Sequence, residues 1–403
     1  MEIILILKLI IEYTLFLYFG FAALYILVFT IAGRFLATNK KIKHNSVKFR
    51  KFAVLIPGYK EDNVIIEVAT QALAQNYPKN LFEVIIIADS FLPETIESLR
   101  KLPITLIEVS FEKSTKSKAL NKAMEVIGDE FDVALVLDAD NIMEQNFISK
   151  INSAFENNFK IVQGHRIAKN LNNSMAILDA ISEEINNHIF RKGHRAIGLS
   201  SALIGSGMAF EYSLFKERMK SINAVGGFDK ELELTLLRDN FKIEYLDDAK
   251  VMDEKVQKIE VFENQRKRWL SAQFVYFKKF FLSGVSHFIK KGNIDFIDKV
   301  YQMITPPRIL LFGITFILAI FSLLIHYLFP QIIIFSIPFQ YWLTIFLFVL
   351  ISFVLSLPRS FYNKNTLLAI LSTPKVFKSM LKSLLKLKGA NKKFIHTEHG
   401  KIT

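Results

Sequence analysis

The stretch 131-FDVALVLDAD-140 decides how this chain is read. An apolar run rich in β-forming residues ends in two carboxylates one residue apart. Such a run reads as a buried strand of a parallel sheet. In open α/β sheets ligands sit outside the carboxyl ends of the strands, so Asp138 and Asp140 are expected at a binding crevice. Carboxylates this close repel unless a cation or a proton relieves them. A hard cation, Mg2+ or Mn2+, shared with phosphate oxygens is the natural partner. A bare D-x-D arises about once by chance in a chain of this length, so its weight comes from its surroundings.

Those surroundings alternate strand and helix signals. Residues 52–56 form an apolar run that Pro57-Gly58 is expected to stop, and 64–76 have helical apolar spacing. Residues 82–88 and 104–109 are further apolar runs. Residues 116–127 read as a helix, 133–137 as a strand and 142–157 as a helix. This order predicts βαβ units and a parallel sheet covered on both faces. Glu61, Asp89, Asp138 and Asp140 all follow strand ends and should line one edge of the sheet. Tyr59 could offer its ring to a nucleobase, and Asp89 could accept hydrogen bonds from a base or ribose. Lys116 and Lys118 open a helix and could meet a diphosphate.

Composition places the chain in a membrane. It has 403 residues, 51% of them hydrophobic, and no Cys, which excludes disulfides, zinc–thiolate sites and thiol nucleophiles. Residues 13–33 carry no charge and suffice to cross a bilayer as an uncleaved anchor bracketed by Glu12 and Arg34. Residues 309–358 hold no Asp, Glu, Lys or Arg and suit two crossings joined near Pro330–Pro338. Residues 34–51 carry seven Lys/Arg and no acid, and 357–403 carry ten against one acid, Glu398. The positive balance therefore belongs to the membrane flanks and not to a nucleic-acid face. By the positive-inside rule both flanks, and the domain between them, are cytoplasmic. The divisions expected are an anchor at 1–33, a basic linker at 34–51, a soluble domain at 52–262, interface helices at 263–308, a transmembrane hairpin at 309–358 and a basic tail at 359–403. In that tail Val376, Phe377, Met380, Leu381, Leu384 and Leu385 recur at helical spacing among Lys375, Lys378, Lys382, Lys386 and Lys388. This reads as an amphipathic helix for an anionic membrane surface.

With these residues in view, the chain resembles the membrane-bound family 2 glycosyltransferases, the group that includes cellulose, chitin and hyaluronan synthases. LIPGYKED (55–62) is similar to the family's first strand and loop, and IIIADS (85–90) to its second nucleotide-binding strand. TKSKALN (115–121) resembles the family's lysine turn, with Lys116 at the Lys position. LDAD is its D-x-D, and IGSGMAF (204–210), with Gly205, Ser206 and Gly207, resembles the small-residue loop under the sugar. GGFDKELELTL (226–236) resembles the segment of the catalytic acid pair, and QRKRW (265–269) matches Q-x-x-R-W. The matches cover residues 52–270 in the expected order. The usual Glu-Asp pair is read as Lys230-Glu231, and one Asp stands in the second strand where relatives often have two.

The resemblance implies an α/β GT-A domain, a Rossmann-like mixed sheet, joined to α-helical transmembrane segments. It implies an inverting, metal-dependent transfer of a hexosyl or N-acetylhexosaminyl group from a nucleotide-diphospho-sugar, UDP-linked in expectation. The acceptor is lipid-linked or a glycan at the cytoplasmic face of a prokaryotic inner membrane. Tyr59, Glu61, Asp89, Lys116 and Asp138 would bind donor, Asp138 and Asp140 the Mg2+ or Mn2+, and Glu231 would be the base. Gly205, Ser206, Gly207, Gln265, Arg268 and Trp269 would meet acceptor and diphosphate. Membrane lipids, and an oligomer or export partner, are the expected associations. Two other readings stay open: a catalytically weak subunit of a polysaccharide synthase complex, and a polyprenyl-phosphate sugar transferase. A transporter does not fit three crossings without intramembrane Asp, Glu, Lys or Arg. His165, His188 and His194 read as surface or packing groups, Asp247-Asp248 as a turn, and Glu183-Glu184 as a solvated helix face.

Overall fold

The computed structural model describes residues 2–385 apart from 38–47, 223, 225, 332 and 333. Helix α1 (Glu2–Ile31) runs into a π-helical turn, Ala32–Leu36. The soluble domain then reads β1 (Phe52–Tyr59), α2 (Ile65–Leu73), β2 (Phe82–Asp89), α3 (Pro93–Arg100), β3 (Thr105–Val109) and α4 (Lys116–Val126). It continues with β4 (Val133–Val136), β5 (Ile142–Met143), α5 (Phe147–Glu156), β6 (Ile161–Ala168) and α6 (Ser174–Asn186). After a second π-helical turn, Asn187–Gly193, come α7 (His194–Ala196), β7 (Met208–Glu211), α8 (Tyr212–Met219), α9 (Phe228–Arg238) and β8 (Glu244–Asp253). The chain then turns helical: α10 (Ile259–Lys291), α11 (Ile294–Gln302), α12 (Arg308–Leu328), α13 (Phe339–Ser356), α14 (Lys364–Leu371) and α15 (Thr373–Leu385).

The eight strands form one mixed sheet, ordered β3-β2-β1-β4-β7-β6-β8-β5. β3, β2, β1 and β4 are parallel, and β7 enters antiparallel to both β4 and β6. Alternation along the strands fills two cores. Ala53, Leu55, Ile85, Ile87, Ala134 and Val136 face α4, α8 and α9. Phe52, Val54, Ile56, Val84, Ile86, Val133 and Leu135 face α2 and α5. Each fully buried Val, Leu, Ile or Phe contributes about 1.5–3 kcal/mol. Side-chain caps start the helices: Thr115 accepts from Lys118 N at α4, and Asn173 from Ala176 N at α6.

Pro57-Gly58 does not stop β1, which pairs with β2 as far as Tyr59 opposite Asp89. The Leu55 carbonyl faces β4 and accepts from Leu137 N, where that pairing ends. Pro57, two residues on, faces the same side and needs no N–H there. Residues 142–157 are not one helix either. Ile142–Met143 first pairs antiparallel with β8, and the helix starts at Phe147.

Among the described residues, three helices are long and apolar enough to cross a membrane: Glu2–Leu36, Arg308–Leu328 and Phe339–Ser356. α13 packs between α1 and α12, with Trp342 buried edge-on against Phe16 at 5.5 Å. Glu12 does not end the first span but lies within α1. Its carboxylate is buried and accepts from Ser336 N (3.0 Å) and Ile337 N (2.8 Å) in the hairpin turn. At the other end of α1, Phe29 stacks on His194 at 3.6 Å, and a Cβ on Gly193 would lie 2.1 Å from the Phe29 carbonyl oxygen. Gly193→Ala is therefore expected to cost about 1–3 kcal/mol, as overpacking does. An unchanged Tm of the detergent-solubilised chain would disprove that contact.

The tail departs from the expected membrane-surface helix. Val376 and Met380 are buried against residues of α10 and α12, and the Phe377 ring abuts Gly313. Val376, Phe377, Met380 and Leu384 of the α15 stripe thus pack on protein, while Leu381 and, on α14, Leu367, Leu368 and Leu371 are exposed. Lys386 and Lys388 lie outside the described residues.

Candidate active site

The carboxyl ends of β1, β2 and β4 bring the expected donor residues to one edge. Lys60 N donates to Asp89 O (3.1 Å), which ties the loop after Tyr59 to the end of β2. Both chain reversals use left-handed backbone, at Lys60 (φ 55°) and Ser90 (φ 60°). Asp89 and Glu61 are buried, and Ser90 Oγ donates to Asp89 Oδ1 (2.9 Å).

Around the D-x-D the side chains form a closed ring. Lys116, on the first turn of α4, donates to Asp138 Oδ1 (2.5 Å) and to Gly205 O (2.8 Å). Arg166 of β6 lies 4.0 Å from Asp138 Oδ2 and 3.6 Å from Asp253 Oδ2, and bonds Glu183 at 2.9 Å. Asn141 Nδ2 contacts Asp253 Oδ1 (3.1 Å) and Asp140 Oδ1 (3.0 Å). Lys255 is buried against Asp253 at 2.7 Å. Burial alone would lower the Arg166 pKa, but Asp253 and Glu183 raise it well above the usual value. Arg166 thus stays charged behind Asp138, and the ring holds both D-x-D carboxylates in place. Lys118 turns away to Lys113 O and takes no part.

The small-residue loop lies against this ring. Asp138 N donates to Ser206 Oγ (2.9 Å), whose hydroxyl bonds Asn141 Oδ1. Gly205 and Gly207 have φ of 80° and 61°, which favours glycine. A Cβ on Gly205 would sit 3.7 Å from the Asp229 carboxyl, so that group stands beside the carbonyl that Lys116 holds. Burial raises the Asp229 pKa, with Lys230 and Lys116 opposing and Glu233 adding to the rise.

Glu231 is placed differently. It is buried two residues further along α9, ion-paired with Lys279 of α10. Asp229 is the acid that a Cβ on Gly205 would approach, while Glu231 is taken up by Lys279. Gln265, Arg268 and Trp269 share a stripe of α10 with Ala272 and Tyr276, which pack on Gly227 just ahead of α9. Trp269 is 40% exposed, and the Arg266 guanidinium lies 4.2 Å above its ring. Gln265 Oε1 is buried without a hydrogen-bond partner, and burial lowers the Arg268 pKa.

Several residues contradict their bland readings. Glu183 and Glu184 are no solvated face: Glu183 is buried between Arg166 and Arg191, and Glu184 bonds His165. Burial would lower the His165 pKa, yet hydrogen bonds to Asp247 and Glu184 push it up to about 9. Asp247-Asp248 forms a bulge inside β8, where Gly164 pairs with Leu246 and His165 with Lys250. Asp253, Asn141, Arg166, Lys255 and Asp229 escaped sequence reasoning. Asp253 ends a strand too, but β8 (EYLDDAKVMD) carries charges along its length and gives no apolar run to flag it.

The donor set fits a hard cation shared with phosphate. Asp138 is 36% exposed and Asp140 is nearly buried, and a cation with one or two carboxylates completes its shell from substrate oxygens and water. Among the described residues no group of three or more His, Asp or Glu forms a metal cage. A bound cation would share Asp138 with Lys116.

Residues 50–272 match the family model described as glycosyltransferase like family 2. No curated protein matches significantly. Among solved structures, the chain is similar to a mannosyltransferase from Pyrobaculum calidifontis in complex with GDP-Man and Mn2+. The two are 15% identical with a TM-score of 0.53, over 85% of this chain and 96% of that one. TarS of S. aureus is also 15% identical, over 85% of this chain and 55% of its own, with a TM-score of 0.37.

Proposed function

The chain belongs to glycosyltransferase-like family 2, and on that premise we propose that it moves a sugar from a nucleoside-diphosphate donor to a lipid-linked acceptor by one inverting displacement. Its fold is of the GT-A type, with three helices apolar enough to span a membrane. The observation that carries the proposal is the Asp229 carboxyl set beside Gly205, whose carbonyl shares Lys116 with Asp138. A base and a diphosphate-binding cation thus flank one small-residue floor.

Each residue has a task. Tyr59, Glu61 and Asp89 line the nucleoside end. Lys116 meets the diphosphate, and Arg166 stands behind Asp138 at 4.0 Å. Asp138 and Asp140 would hold Mg2+ or Mn2+, which neutralises charge on the departing nucleoside diphosphate. Asp229 accepts the proton of the acceptor hydroxyl as the new bond forms, and its raised pKa makes it a stronger base than an exposed carboxylate. Gln265, Arg268 and Trp269, on the stripe above Gly227, are assigned to the acceptor.

Arg308 favours a lipid-linked acceptor. It opens α12, bonds Asn186 and Ser182 Oγ (2.9 Å), and has no carboxylate within 4.0 Å among the described residues. A cation so placed at the end of a span lies where a lipid phosphate lies. The basic flanks support a cytoplasmic catalytic domain at a prokaryotic inner membrane.

A donor panel tests the reaction. Purified chain in nanodiscs with lipid phosphates is given UDP-glucose, UDP-N-acetylglucosamine or GDP-mannose, with Mg2+ or Mn2+. Release of UDP at least about tenfold above a UDP-free control is the expected result. GDP release alone would reassign the donor base, and no release from any donor would overturn the enzyme reading.

A further inference from the structure

α9 carries a second carboxylate that the reaction does not use. Glu233 is fully buried, one turn after Asp229. Its Oε1 accepts from Leu203 N (3.2 Å), and its Oε2 accepts from Lys230 Nζ (3.0 Å). Lys230 also donates to Leu203 O (2.7 Å). The polar groups of Leu203 are therefore held by two side chains of α9. Two residues on, Gly205 lies beside Asp229, and its carbonyl accepts from Lys116.

The pair continues into the membrane. Lys299 of α11, also fully buried, lies 3.8 Å from Glu233 Oε1 and bonds Gln302 Oε1 at 3.4 Å. Gln302 Nε2 reaches the Tyr25 hydroxyl of α1 at 3.1 Å and Asp298 Oδ2 at 2.8 Å. Tyr25 in turn donates to Asp298 Oδ1 (2.6 Å) and contacts His194 Nε2 (3.0 Å). Buried charges cost folding energy unless matched, and an all-apolar contact here would pack as well. What the charges add is a fixed geometry between α9 and the loop under the sugar.

We infer that Glu233 is a positioning residue: with Lys230 and Lys299 it locks the Leu203–Gly207 loop to the helix bearing Asp229, and it ties that lock to membrane helix α1. The inference rests on the proposed role of Asp229. A misplacement of about 1 Å can cost on the order of 100-fold in rate, so a loosened loop should slow turnover.

The full chain in nanodiscs is compared as wild type, Glu233→Gln, Lys299→Met and the double variant. Hydrogen exchange at Leu203, Tm, and kcat and KM for UDP release from UDP-glucose are measured. Lys299→Met should lower Tm little, because Glu233 keeps Lys230, whereas Glu233→Gln and the double variant should lower it more, because Lys230 loses its carboxylate. Leu203 exchange in the double variant should rise at least about tenfold, and kcat should fall more than KM rises. Tyr25→Phe should give a smaller loss of the same kind. Wild-type Leu203 exchange in the folded double variant would overturn the lock, whatever the activity. Wild-type kcat with accelerated exchange would overturn its catalytic role. Failure of the base reading is separate, because it shows as full activity in Asp229→Asn.

Discussion

Asp229→Asn is expected to bind donor as the wild type does and to transfer sugar about 10²–10⁴-fold more slowly, the usual scale for losing a general base. The change keeps the shape of the side chain beside Gly205 and removes only its basic oxygen. Because burial raises the Asp229 pKa, kcat should fall on the acid side at a pH above the ordinary carboxylate range. The direction follows from the role: the base works deprotonated, so activity is present above its pKa and lost below. Glu231→Gln is the control. Its carboxylate is occupied by Lys279, so a loss of only a few-fold is expected. Rates measured with saturating donor decide between the two. A dead Glu231→Gln beside a normal Asp229→Asn would return the base to Glu231.

Asp140→Asn is expected to lower transfer about 10²–10³-fold, the cost of removing one preorganised electrostatic partner of developing charge. The side chain is buried, and its Oδ1 accepts from Asn141 Nδ2 at 3.0 Å. The Asn amide oxygen can keep that bond, so the ring through Asp253 should survive and Tm should hold. The variant should need much more Mn2+ or Mg2+ for what activity remains. Titration of both proteins with each cation, then with EDTA, checks this. Wild-type rates in the variant, or in excess EDTA, would remove the metal from Asp140.

What the sequence disclosed follows from what is local. FDVALVLDAD was legible because one strand and its end lie in ten consecutive residues. The spans were legible because hydropathy is additive along the chain. Which acid of GGFDKELELTL stands beside Gly205 was not, because spacing alone does not say it. That contact belongs to a loop some twenty residues earlier. Arg166, Asp253 and Lys255 were hidden for another reason. Charged residues in strands look solvated, and only the pairing of β6 with β8 stacks Arg166 against Asp253. The α15 stripe misled because an apolar face in a basic helix suits lipid and protein alike.

Glu12 gives the membrane part a direction in time. Its carboxylate is stabilised by two backbone N–H groups, from Ser336 and Ile337, that lie 324 and 325 residues further along. During synthesis the anchor is made first, and its acid remains without these donors until the hairpin emerges. The three spans therefore join in a fixed order, with the closing contact made last and at the far side of the bundle from the sugar site. A chain cut short before Ser336 keeps an anchor with an unmatched carboxylate.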